Sequence, residues 1–135
     1  MIYNGDLILV RGVSGSGKTT LAEALAVYSD GTVNSADNYF YNANGEYNWE
    51  ARLLPMVHAK CLEQTAKDMA LGISPIFVAN TFASERDFRP YIEESAKYNY
   101  RVFTIIVENR HGSENIHDVP NSSLEKQKRR FNIKL

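Results

Sequence analysis

Cysteine is almost absent from the chain. Cys61 is the only one in 135 residues, so neither an internal disulfide nor a cysteine-built zinc site is open to it. A large excess of either charge is missing as well, with 15 Lys+Arg against 16 Asp+Glu. Residues 1–120 hold 10 basic and 15 acidic groups, and this acidic body argues against strong non-specific DNA binding, whose affinity comes mainly from neutralising phosphates. No apolar run approaches the roughly 18 residues of a membrane span. The first residues, MIYNGD, do not have the basic, apolar and small-residue order of a signal peptide. A cytosolic location with no membrane association is therefore the expectation. Repeats, low-complexity tracts and linkers are lacking too, and the length suits a single domain over 1–135.

What is present is the composition of a protein with a real core, 44% hydrophobic and 23% charged. The charge is unevenly placed. Residues 121–135 carry Lys126, Lys128, Arg129, Arg130 and Lys134 against Glu125, leaving an acidic body before them. This basic end is either a phosphate or nucleic-acid contact or a solvated helix end that complements its own dipole.

Apolar runs alternate between two periods. Leu7-Ile8-Leu9-Val10 is a short continuous run, as in a strand buried on both faces. A helix from Lys18 to about Tyr28 follows, with Leu21, Ala22, Leu25 and Ala26 at helical spacing and Asp30-Gly31 as its stop. Thr32–Ser35 reads as a weaker strand, Ala36-Asp37-Asn38 as a loop or helix cap, and Tyr39–Trp49 as an ordered aromatic loop. A long helix is predicted from about Leu54 to Gly72, with Pro55 in its first turn. The strand Pro75–Ala79, a helix opened by the capping-box spacing of Ser84–Asp87, the strand Val102–Val107 and a short helix from Ser122 to about Phe131 complete the chain. Strand alternating with helix implies an α/β, three-layer fold around a parallel sheet.

Gly12-Val13-Ser14-Gly15-Ser16-Gly17-Lys18-Thr19 fits G-x-x-x-x-G-K-[ST], the P-loop, and lies between an apolar strand and a helix as that motif requires. Its glycines let backbone N–H groups wrap a phosphate, and the helix start adds partial positive charge. Nucleotide contacts are therefore expected at Gly12, Ser14, Gly15, Ser16, Gly17, Lys18, Thr19 and Thr20. Lys18 would bridge the β- and γ-phosphates of ATP, and the Thr19 hydroxyl would ligate Mg²⁺. The Asn-Lys-x-Asp element and switch segments of a GTPase are not visible, and the length excludes a large ATPase motor. A small phosphotransferase remains. Its base is expected at the carboxyl end of a strand, where Asp37 stands; the competing role for Asp37 is a helix N-cap.

Arg11–Leu21, Ser35–Phe40, Gly72–Thr81, Arg89-Pro90-Tyr91 and Asn115–Pro120 occur in the order seen in one P-loop clade. The chain resembles the polynucleotide 5′-hydroxyl kinase clade of small P-loop kinases and AAA-type ATPase domains. The resemblance covers nearly the whole chain. It implies a P-loop NTPase fold with four or five parallel strands and the P-loop strand central, ATP and Mg²⁺ as ligands, and Asp37 as general base. It also implies a lid at about 108–120 that brings an arginine to the phosphates. Three positions depart from the family pattern. Ala79 stands in place of an aspartate, Glu114 in place of an arginine, which leaves Arg110 as the remaining lid cation, and Phe40 where polynucleotide kinases proper tend to carry arginine.

Tyr39, Phe40, Tyr41, Tyr47 and Trp49 would either stack an acceptor base or pack over the sheet. His58 reads as an ordinary helix residue and Cys61 as a small apolar filler. His111 and His117 have no acid at metal spacing. The leading expectation is an ATP- and Mg²⁺-dependent polynucleotide or nucleotide 5′-hydroxyl kinase, with a single-stranded nucleic acid or a nucleotide as acceptor. The alternatives are a nucleotide-binding regulatory or interaction module and a kinase of another small hydroxylated molecule.

Overall fold

The computed structural model describes residues 2–111 and 120–135. Four parallel strands, β1 (Gly5–Arg11), β2 (Thr32–Asn34), β3 (Ile76–Asn80) and β4 (Tyr100–Ile106), form one sheet in the order β2-β3-β1-β4. The strand entering the phosphate loop is therefore interior. Helices α1 (Lys18–Ser29), α2 (Leu54–Ala70), α3 (Glu85–Lys97) and α4 (Asn121–Arg130) follow the order expected from the sequence. Short 3-10 turns occupy Ala36–Phe40 and Ala51–Leu53. Among the described residues no helix is long and apolar enough to cross a membrane.

Side chains alternate across the pleat, and this alternation sorts the core into two layers. Leu7, Leu9, Ile76 and Val78 pack with Val57, Cys61 and Met69 of α2 and Tyr91 of α3. Val10, Phe77 and Ala79 pack on the opposite face against Ala22 and Ala26 of α1. Each fully buried aliphatic side chain contributes about 1.5–3 kcal/mol. α1 ends as its sequence requires, with Asp30 in the left-handed region (φ 56°) and the Gly31 N–H donating to the Ala26 carbonyl at 2.9 Å. The capping-box spacing at α3 is also realised, since Asp87 Oδ2 accepts from the Ser84 N–H at 3.2 Å.

Arg11 continues the Leu7, Leu9 face at the last position of β1, so a guanidinium enters the core. It lies between the rings of Phe88 and Phe131, 4.6 and 5.0 Å from their centroids. Nε donates to the Phe82 carbonyl at 2.8 Å, and a terminal nitrogen donates to the carbonyls of Ala83 and Asn132 at 3.3 and 2.6 Å. Burial lowers its pKa, and Asp87 opposes that shift. These bonds tie the segment after α4 to the strand that carries the phosphate loop. Arg11→Met keeps the stem but leaves these carbonyls without their donor, a loss of about 3 kcal/mol or more. We expect the melting temperature to fall by about 10 °C. A change under about 2 °C by calorimetry would show that the carbonyls find other partners.

Candidate active site

The loop between β1 and α1 turns through glycines in the left-handed region, Gly15 at φ 80° and Gly17 at φ 93°. Side chains rarely adopt this conformation. At Gly17 a Cβ would also come within 2.7 Å of His111 Nε2. The Gly12 N–H donates to the Thr81 carbonyl at 3.2 Å, and the Ser16 N–H to that of Val13 at 3.0 Å. His111 Nε2 lies 2.6 Å from the Ser16 carbonyl, a contact in which only the ring can donate. The Ser16 hydroxyl is buried with no hydrogen-bond partner among the described residues. Thr19 is half-buried in the first turn of α1, whereas Thr20 is exposed.

Lys18 is 7% exposed. Among the described residues its ammonium reaches only the Val13 carbonyl, at 3.5 Å. Burial pulls its pKa down, and the Asp37 carboxylate opposes that shift. A phosphate arriving beside Lys18 favours the charged form, so binding takes up a proton wherever the empty site has lost it. ATP affinity should therefore fall by up to about tenfold per pH unit once pH exceeds the lowered Lys18 pKa. Calorimetry from pH 7 to 10 reads this directly, and the dependence should vanish in Lys18→Ala.

Asp37 lies in the first turn of the 3-10 helix, not at its cap. The cap is Ser35, whose Oγ accepts from the Asp37 N–H at 3.3 Å. Asn80, at the end of β3, accepts from the Ala36 N–H at 2.8 Å and donates to Cys61 Sγ at 3.6 Å, holding the turn from below. The Tyr47 hydroxyl donates to Asp37 Oδ1 at 3.5 Å. Burial and then the Asp37 charge push the Tyr47 pKa up, so the phenol keeps its proton.

Lys18, Ser14 and Asp37 open into one cleft of about 760 Å³ at the carboxyl ends of the strands. Phe40, Trp49, Leu54 and Leu62 supply its apolar wall. Arg86 and Asp87 of α3, together with Lys126, Gln127 and Arg130 of α4, line the polar side. An Arg130–Asp87 ion pair at 3.0 Å joins these two helices. Gln127 also grips the phosphate loop: Oε1 accepts from the Ser14 N–H at 2.8 Å, and Nε2 donates to Ser14 Oγ at 3.0 Å.

Other expected residues fall elsewhere. Arg110 is exposed and paired with Glu108 at 2.7 Å, and it does not line the cleft. Glu114 and 115–119, within the expected lid, lie outside the described residues. Ala79 packs toward α1, so this strand end offers no carboxylate. Cys61 fills the core as expected, with the added bond from Asn80. His58 is more than the ordinary helix residue its sequence context implied. It lines the cleft, where partial enclosure lowers its pKa against the opposing charges of Asp87 and Asp37. Its spacing with Leu54 and Leu62 on one helical face was a readable signal. Arg86, Asn80 and Gln127 offered none.

A glycine-rich turn between an interior parallel strand and a helix, with a lysine in its mouth and a carboxylate just past the end of β2, two strands along the sheet, defines a P-loop kinase-like domain. Residues 7–133 match the AAA domain family, and the chain belongs to it. Over 97 residues, 71% of the chain, it is 35% identical to human NEDD4-binding protein 2, of whose length it spans only 5%. The fold is similar to that of a chain in the Pnkp1/Rnl/Hen1 RNA repair complex, with TM-score 0.65 and 16% identity, over 96% of this chain and 39% of that one. It is also similar to a gluconokinase from Sinorhizobium meliloti 1021, with TM-score 0.62 and 17% identity, over 98% and 78%. The fold is thus that of small P-loop kinases.

Proposed function

We propose that this domain is an ATP- and Mg²⁺-dependent phosphotransferase whose acceptor hydroxyl enters the cleft beside Asp37. The observation that carries the proposal is that Ser14 and Lys18 of the phosphate loop line one cleft with Asp37. In this reading the acceptor oxygen attacks the terminal phosphorus while its proton passes to Asp37. The bond to the bridging oxygen breaks, and ADP leaves. Lys18 offsets the charge of the phosphates, and Tyr47 orients the Asp37 carboxylate.

The donors fit a small hard cation shared with the nucleotide. Thr19 would offer its hydroxyl at the start of α1, and such a cation takes its other ligands from phosphate and water. When bound, Mg²⁺ neutralises developing charge on the phosphoryl oxygens. The cation expected from the lid at Arg110 is supplied in this reading by Lys126, which lines the cleft.

A 5′-hydroxyl of a polynucleotide or nucleotide is the leading acceptor. The Trp49 and Phe40 wall suits an aromatic base, stacking being worth roughly 1–3 kcal/mol, and Arg86 and Arg130 suit an acceptor's own phosphate. Labelled-ATP transfer to 5′-hydroxyl oligonucleotides, nucleosides and sugar acids tests this, with label expected on the oligonucleotide or nucleotide. Label on sugar acids alone would move the acceptor class. ATP binding without transfer to any acceptor would favour a nucleotide-binding interaction module, a reading favoured by the absence of a carboxylate at Ala79.

A further inference from the structure

Gln127 belongs to a helix with no buried residue, yet its amide is held at both ends. A backbone N–H can only donate, so the group facing the Ser14 nitrogen at 2.8 Å must be the amide oxygen. The amide nitrogen therefore faces Ser14 Oγ at 3.0 Å and spends one N–H there. Two donors remain uncommitted by these bonds: the second N–H of Gln127 and the hydroxyl proton of Ser14. Both residues line the cleft that also holds Lys18 and Asp37.

Their place along the loop decides which phosphate they would meet. The start of α1, at Gly17 and Lys18, is the natural seat of an inner phosphate, since N–H groups and the helix dipole converge there. Ser14 precedes that seat and faces the cleft that Asp37 shares, so its side of the loop looks toward the phosphate to be transferred. A terminal phosphate has three oxygens that only accept. An amide clamped by Ser14 presents a donor to them at no further cost in ordering. Arg130 pairs with Asp87 at 3.0 Å, and Arg11 holds the Asn132 carbonyl at 2.6 Å, so the helix carrying Gln127 is anchored at its C-terminal end to α3 and to the end of β1.

We propose that Gln127 is a specificity-determining residue that reads the terminal phosphate, so that the site prefers a nucleoside triphosphate to a diphosphate. The inference rests on the nucleotide-binding reading above but can fail without it.

The test is calorimetry with ATP and with ADP on the wild type, Gln127→Ala and Gln127→Glu. The helix has no buried residue, so both variants should keep the wild-type fold, which a melting curve checks. Gln127→Ala should lose about tenfold in ATP affinity while ADP affinity stays within about twofold. Gln127→Glu still accepts from the Ser14 N–H but has no donor and adds negative charge, so its loss for ATP should approach about 100-fold, again with little change for ADP. A contact that merely braces the loop would shift ATP and ADP together. An ATP-to-ADP ratio unchanged in both variants, or tighter ATP binding by Gln127→Ala, would overturn the proposal and leave the nucleotide reading standing. A wild type that binds neither nucleotide would overturn that reading itself.

Discussion

Replacing Lys18 with alanine should lower ATP affinity on the order of 10²-fold and the transfer rate by 10³-fold or more. Hydrogen bonds between charged groups are worth about 1.5–3 kcal/mol each, and electrostatic contacts strengthened in the transition state often cost 10²–10³ in rate when removed. Lys18 combines both roles in a place where water is largely excluded. The empty protein should respond in the opposite direction. Its ammonium is buried and, among the described residues, makes only a 3.5 Å contact to the Val13 carbonyl, so deleting the charge removes a desolvation penalty, and the melting temperature should hold or rise. Calorimetry, initial rates and a melting curve on the same variant distinguish the two effects. Unchanged ATP binding would overturn the assignment of the loop.

Asp37→Asn should reduce kcat by about 10²–10⁴-fold, the usual contribution of a positioned general base. The substitution keeps shape and volume. It also leaves the cap intact, because Ser35 rather than Asp37 accepts the capping bond. The Tyr47 hydroxyl can still donate to the amide oxygen. Stability should therefore change little, and ATP affinity should be retained or slightly improved as a negative charge leaves the neighbourhood of Lys18. Stopped-time transfer assays beside ATP titrations measure both. If kcat persists with Asp37 neutral, the proton goes elsewhere, and His58, which lines the same cleft, becomes the group to replace next.

The elements were legible because their causes are local. Leu7–Val10 is apolar at every position because the sheet is covered on both faces. The stripe Leu21, Ala22, Leu25 and Ala26 marks a helix by its period, and Asp30-Gly31 ends it by its backbone freedom. The phosphate loop was equally local, since a phosphate is wrapped by consecutive backbone N–H groups, and consecutive residues are what a motif records. Asp37 could be located, but its competing role as a cap could not be resolved from sequence. Ser35 and Asp37 are both good capping types, and only the backbone shows that the bond runs to Ser35.

Fold class, strand and helix order, the phosphate loop and the choice of Asp37 thus followed from residues close in the chain. Tertiary structure decided which distant side chains meet them. The parity of β1 sends Arg11 into the core beneath the segment after α4. The parity of β3 turns Asn80 toward the 3-10 helix and Ala79 toward α1. The fold of the chain after β4 leaves Arg110 with Glu108 and brings Lys126 and Gln127 to the cleft. Gln127 lies 113 positions from Ser14 in the chain, and its neighbours in a polar helix look the same in sequence. Hydrophobic period and loop chemistry act between residues a few positions apart, whereas a hydrogen bond across the cleft depends on where whole elements pack, which no local pattern encodes.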